Sequence, residues 1–95
     1  MVVGVLRLTL YIPESHSLKE KRGVIRKIKS RVRNEFNVSI AECAAQDLWQ
    51  KIVLGICQVS SDHTYIEGTL RAVADFIDRR HIVQMGEEEV EILHF

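Results

Sequence analysis

This 95-residue chain has no net charge: thirteen Lys and Arg balance thirteen Asp and Glu. A sequence pI near 6.9 argues against a protein that coats nucleic acid in bulk. Nor is there any apolar run approaching the ~20 residues needed to span a bilayer, and no basic-then-apolar leader opens the chain. A membrane partner is therefore not expected, and the cytoplasm is the expected location. Cysteine is scarce. Cys43 and Cys57 lack CxxC spacing, and in the simplest hairpin register they fall about five residues out of step, roughly 16 Å apart, so both are expected as buried reduced thiols. His16, His63, His81 and His94 show neither HxH nor HExxH spacing, so neither a metal site nor a cofactor is expected. The segment KIVLGICQV has no aromatic residue, which argues against a sheet that stacks nucleic-acid bases.

Against this neutral background the charge is sorted along the chain. Lys19, Arg22, Arg26, Lys29 and Arg33 are spaced 3, 4, 3, 4. On a helix those positions share an arc of roughly 80° and form a ridge about 20 Å long. From Leu18 to Glu35 the net charge is +6, and the first fifty residues carry +4 against −4 for the rest, where Glu87, Glu88, Glu89 and Glu91 cluster. A ridge of this kind suits an anionic partner, while the overall neutrality limits indiscriminate binding.

The chain patterns as strand, helix, strand, strand, helix, strand. Residues 2 to 12 alternate, with Leu6, Leu8 and Leu10 on one face and Val5, Arg7, Thr9 and Tyr11 on the other. Pro13 ends that strand. Ser17 opens a helix as a capping box with Glu20, followed by the stripe Leu18, Ile25, Ile28, Val32 and Phe36, with Asn37 as a plausible stop. Residues 38 to 45 and 50 to 60 form a hairpin turning around Asp47 and Leu48. A large-opposite-small fit favours a register with Ser39, Ala41 and Cys43 against Ile56, Leu54 and Ile52. Ser61 or Asp62 caps a second helix with the stripe Ile66, Leu70, Val73 and Ile77, supported by Phe76. Val90, Ile92 and Leu93 belong to a last strand, while Met85, Gly86 and the neighbouring glutamates are ambiguous between a bend and an edge strand.

The order βαββαβ in one short domain, residues 1–95, predicts an α+β ferredoxin-like fold. Its four-stranded antiparallel sheet has the order 4-1-3-2, with two helices on one face. The other face stays open and carries few charges, with Arg7 placed to pair with Glu89 or Glu91. An apolar surface of that kind predicts a homodimer or another protein partner on the sheet.

The stretches MVVGVLRLTLYIP, SHSLKEKRGVIRKI, FNVSIAE, QDLWQKIVLGI and EILHF resemble the YlxP-like family of small bacterial proteins of uncharacterised function, over essentially the whole chain. The resemblance implies a ferredoxin-like fold and, from the family's usual placement beside translation and ribosome-maturation genes, association with RNA or a ribosomal subunit. It brings no catalytic residues.

The helix start adds a candidate anion site. Cations in a first turn are disfavoured by about 0.3 to 1 kcal/mol each unless an anion joins them, yet Lys19, Lys21 and Arg22 all sit there. Lys21 falls within the apolar stripe, so its ammonium must snorkel past the sheet edge. Ser15, Ser17, Lys21 and Arg22 are thus candidates to hold one phosphate, with the ridge continuing along a phosphate backbone. The alternative is a solvated helix face laced by Glu20 and Glu35. Glu42, Asp47, Trp49 and Gln50 are candidates for a polar pocket at the hairpin end, though Trp49 is more simply a core or interface anchor. An acylphosphatase would need an Arg in a Gly-rich loop after the first strand, together with an Asn; this loop is PESHS, and no enzymatic activity is expected. Two functions remain: a non-enzymatic RNA- or ribosome-associated factor, or a dimeric interaction module acting through the sheet face.

Overall fold

Leu6, Leu8 and Leu10 point into the core along β1 (Val2–Tyr11), as the alternation requires. A computed structural model describes all residues 1–95. α1 (Leu18–Glu35) follows, then β2 (Ser39–Ala44), β3 (Lys51–Ser60), α2 (His63–Asp78) and β4 (Gln84–His94). The sheet order is β2-β3-β1-β4 and every neighbouring pair is antiparallel, which is the ferredoxin-like arrangement.

Both helices pack on one face of the sheet. Ile25, Ile28 and Val32 of α1 and Ile66, Leu70, Val73 and Ile77 of α2 join the inward residues of β1 and β3 in one cluster. Phe36 lies at its margin, edge-on to Phe76 with ring centroids 5.4 Å apart. Ser17 caps α1 by accepting from the Glu20 backbone N–H, and the Glu20 carboxylate reaches back to the His16 N–H. Asp62 caps α2 by accepting from the N–H groups of Thr64 and Tyr65. α2 closes on β1 over Gly4, where an added Cβ would lie 2.1 Å from Cγ2 of Ile66.

The β2–β3 register differs from the sequence expectation by one residue. Ser39 faces Cys57, Ile40 faces Ile56 and Ala41 faces Gly55, so Ile40 enters the core and Ser39 and Ala41 turn to the open face. Burying Ile40 outweighs the large-opposite-small fit, and a slip of one exchanges every side chain between faces. The register shifts again between Glu42 and Ala44, leaving Cys43 in a bulge. Both thiols are free and lie on the open side, Cys43 exposed and Cys57 half-buried, so neither is the fully buried core thiol expected from the sequence.

The ambiguous stretch around Met85 is strand. Met85 pairs with Leu10, and the register shifts between Leu8 and Leu10. Gly86 permits the close approach there, since a Cβ would stand 2.7 Å from the Thr9 carbonyl oxygen. β4 is thereby a full edge strand carrying Glu87, Glu88, Glu89 and Glu91, on the side of the sheet away from β2.

Candidate functional site

The apolar stripe of α1 fixes where its cations go. With Ile25, Ile28 and Val32 against the sheet, Arg22, Arg26, Lys29 and Arg33 emerge together along the flank that overhangs edge strand β2. They line a groove of about 450 Å³ with Ser30, Asn34, Ile25 and Glu42. Lys19 is exposed one turn earlier on the same ridge and lies outside the groove lining. Of the ridge cations none has a carboxylate within ion-pair distance; the ion pairs of the fold are Lys21–Glu42 and His63–Glu67. Arg33 donates from Nη2 to the Ile40 carbonyl at 3.2 Å, which pins the end of the ridge to β2 while leaving its charge uncompensated. Two strands, β3 and β1, separate the glutamates of β4 from β2, and none of those glutamates lines the groove.

At the helix start the arrangement differs from the expected phosphate cradle. Lys21 is 1% exposed and its Nζ lies 2.9 Å from Oε2 of Glu42 and 2.7 Å from each of the carbonyl oxygens of Ala45 and Leu48. An ammonium has three N–H donors, and here they go to the carbonyls of Ala45, Leu48 and, at 3.4 Å, Gln46, with Glu42 as the ion-pair partner beside them. Its position in the apolar stripe does force the head group to the sheet edge, but what waits there is the β2–β3 turn rather than an anion. Ala45 adopts φ 57, which helps to aim the turn's carbonyls inward. Ser15 is buried and donates to the Ser17 carbonyl, and the Ser17 hydroxyl is the helix cap. Ser15, Ser17 and Lys21 therefore build the fold, and only Arg22 of that group joins the outward-facing cations.

The hairpin-end pocket also divides. Asp47, Trp49 and Gln50 line a shallow cleft with Tyr11, Leu48 and Lys51, whereas Glu42 faces α1 and belongs to the basic groove. The separation follows from the register, which puts Glu42 on the helix face with Ile40, where its carboxylate meets Lys21. Trp49 is 53% exposed and anchors no core within the chain. Gln50 has a structural duty, its Nε2 donating to the carbonyls of Pro13 and Ser15 and so joining the two loops.

One cluster escaped the sequence reading. His63 and His94 meet with Nδ1 to Nε2 at 2.8 Å, and the Glu67 carboxylate takes the other nitrogen of His63. The four-residue step from His63 to Glu67 is visible on a helix. The meeting with His94, at the far end of β4, depends on the sheet topology. With Glu67 and His94 on its two ring nitrogens, His63 forms a hydrogen-bonded chain rather than a converging ligand set.

The molecule is thus a ferredoxin-like α+β protein with four cations of its first helix lining one groove. It matches the profile of a family described as protein of unknown function, DUF503, over residues 3–90, and the chain belongs to that family. It is 44% identical over 77 residues to the uncharacterized protein YlxP of Bacillus subtilis (strain 168), covering 81% of this chain and 84% of that protein. Among solved structures it resembles the structural-genomics protein YJCS at TM-score 0.56 and 9% identity, covering 97% of this chain and 99% of the other. An antibiotic biosynthesis monooxygenase aligns at TM-score 0.53 and 10% identity over 100% and 98% of the two chains. At such identities the likeness is one of fold. No helix is long and apolar enough to cross a membrane.

Proposed function

We propose that this protein is a non-enzymatic factor that binds the phosphate backbone of RNA, in a ribosomal subunit or its precursor, through the outward face of α1. One observation carries the reading: Arg22, Arg26, Lys29 and Arg33 line a single groove, none with a carboxylate in ion-pair distance because the groove's Glu42 is paired to Lys21, in a chain whose total charge is zero. Holding four guanidinium and ammonium groups together costs repulsion that a polyanion relieves. Arg forks pair with phosphate oxygens, and the Ser30 and Asn34 side chains add neutral donors between them.

The mode is backbone recognition. A sheet that stacks bases needs aromatic rings on its central strands, but β3 has none and β1 has only Tyr11 at its end. The acidic edge on β4 sets the orientation, repelling a polyanion from the opposite side of the sheet. The gene placement that the family resemblance implies, beside translation and ribosome-maturation genes, is what favours RNA over other polyphosphates in this reading.

Sedimentation of the protein with ribosomal subunits at low and high salt tests the reading. The wild type is expected to travel with a subunit at low salt and to leave it at high salt. The variant carrying Arg26→Glu, Lys29→Glu and Arg33→Glu is expected to remain at the top of the gradient under both conditions. Co-sedimentation of that variant equal to the wild type would rule the groove out.

A further inference from the structure

No helix or strand packs on the face of the sheet opposite the helices, although Val53 at its β2–β3 end is buried among its neighbours. Its outward rows run straight across three strands: Val59, Val3 and Leu93, then Cys57, Val5 and Glu91, then Gly55, Arg7 and Glu89. Val59 is 61% exposed, and Leu93 and Arg7 are exposed as well. Arg7 stands directly opposite Glu89 in the register, yet no carboxylate comes within ion-pair distance of it. The surface therefore offers an apolar row beside an unpaired cation and two unpaired carboxylates.

The two sheet edges are poor sites for symmetric self-association. Pairing β4 with its own copy would oppose two glutamate-rich strands, and pairing β2 with its own copy would bring two basic ridges together. The open face has no such obstacle, because it carries both signs. Three strands about 33 Å long and β2 at about 20 Å, spaced about 4.8 Å apart, give roughly 570 Å² of face, or about 1,100 Å² for two copies, above the ~1,000 Å² that a biological interface should clear.

We propose that this face is the contact surface for a second copy of the chain, in a two-fold dimer where Arg7 of each copy bonds Glu89 and Glu91 of the other. Val3, Val59 and Leu93 supply the apolar contact, and the Arg7 pairs fix orientation. The dimer leaves both basic grooves outward, on opposite sides of the assembly. Its formation does not depend on phosphate binding, because Arg7 and α1 lie on opposite sides of the sheet.

Sedimentation equilibrium of the whole chain at micromolar concentration tests this. The wild type is expected at twice its 10.9 kDa mass. Arg7→Glu and, separately, Val59→Asp are each expected to weaken dimerisation at least 100-fold while keeping the wild-type circular dichroism. Arg7→Glu combined with Glu89→Arg and Glu91→Arg is expected to recover the dimer. A monomeric wild type, or an unweakened dimer in either single variant, overturns the proposal. Retained ribosome sedimentation by a monomeric Arg7→Glu protein separates this result from the fate of the basic groove.

Discussion

Nζ of Lys21 lies 2.9 Å from Oε2 of Glu42, joining the first turns of α1 to edge strand β2. The pair is unequal in burial, with Lys21 1% exposed and the Glu42 side chain 20% exposed. That Glu42 oxygen accepts no hydrogen bond, so the ion pair with Lys21 is what balances its charge. The same ammonium holds the β2–β3 turn through the carbonyls of Ala45 and Leu48. One side chain thus fixes the hairpin end against the helix that carries the basic groove.

Removing one partner of this pair is therefore expected to be costly. Lys21→Met should destabilise the fold by about 2 to 4 kcal/mol, somewhat under the range for a fully buried pair because water reaches Glu42. Equilibrium urea unfolding measures it. Combining Lys21→Met with Glu42→Leu should cost less than the two single losses added together, with a coupling of about 1 to 3 kcal/mol. Strict additivity would mean that the two charges do not sense each other.

Glycine replacements should change sign with position. Gly4→Ala places a methyl group 2.1 Å from Cγ2 of Ile66 and forces α2 away from β1, a loss of about 1 to 3 kcal/mol. Gly23 and Gly68 sit on exposed helix surface with nothing within 4 Å of an added Cβ. Gly23→Ala and Gly68→Ala should each raise stability by about 0.5 to 1 kcal/mol. Thermal unfolding of the three variants distinguishes these directions, and a stabilising Gly4→Ala would contradict the packing of α2 on β1.

Trp49 gives a prediction of little change. Its ring is half in solvent and the core closes without it. Trp49→Ala should leave stability within about 0.5 kcal/mol of the wild type in urea unfolding. A loss of 3 kcal/mol would mean that the ring packs as a core anchor.

The strand and helix order was legible in the sequence because each element carries its own period. Leu6, Leu8 and Leu10 alternate, and Ile25, Ile28 and Val32 recur by three and four. The basic ridge followed from the same helical geometry. The register of β2 is not legible, because it depends on which of two alternating sets is buried, and pairwise size matching points the other way from the burial of Ile40. The place of Lys21 in an apolar stripe is visible in the sequence, but its acceptors are backbone carbonyls of a turn, and carbonyl direction has no signature in residue type. The cysteines turned outward for the same reason that Ile40 turned in. His63 and His94 were brought together by the return of β4 beside β1, a contact that spacing along the chain cannot register.

The salt dependence of RNA affinity tests the phosphate groove most directly. Fluorescence anisotropy with a short labelled RNA, titrated at several potassium chloride concentrations, yields the slope of log affinity against log salt. If Lys19, Arg22, Arg26, Lys29 and Arg33 all meet phosphates, the slope is roughly −3.5 to −4.5. Replacing Arg26, Lys29 and Arg33 with Gln should reduce it to roughly −1.4 to −1.8. A flat response in the wild type, or an unchanged slope in the triple variant, would contradict the account.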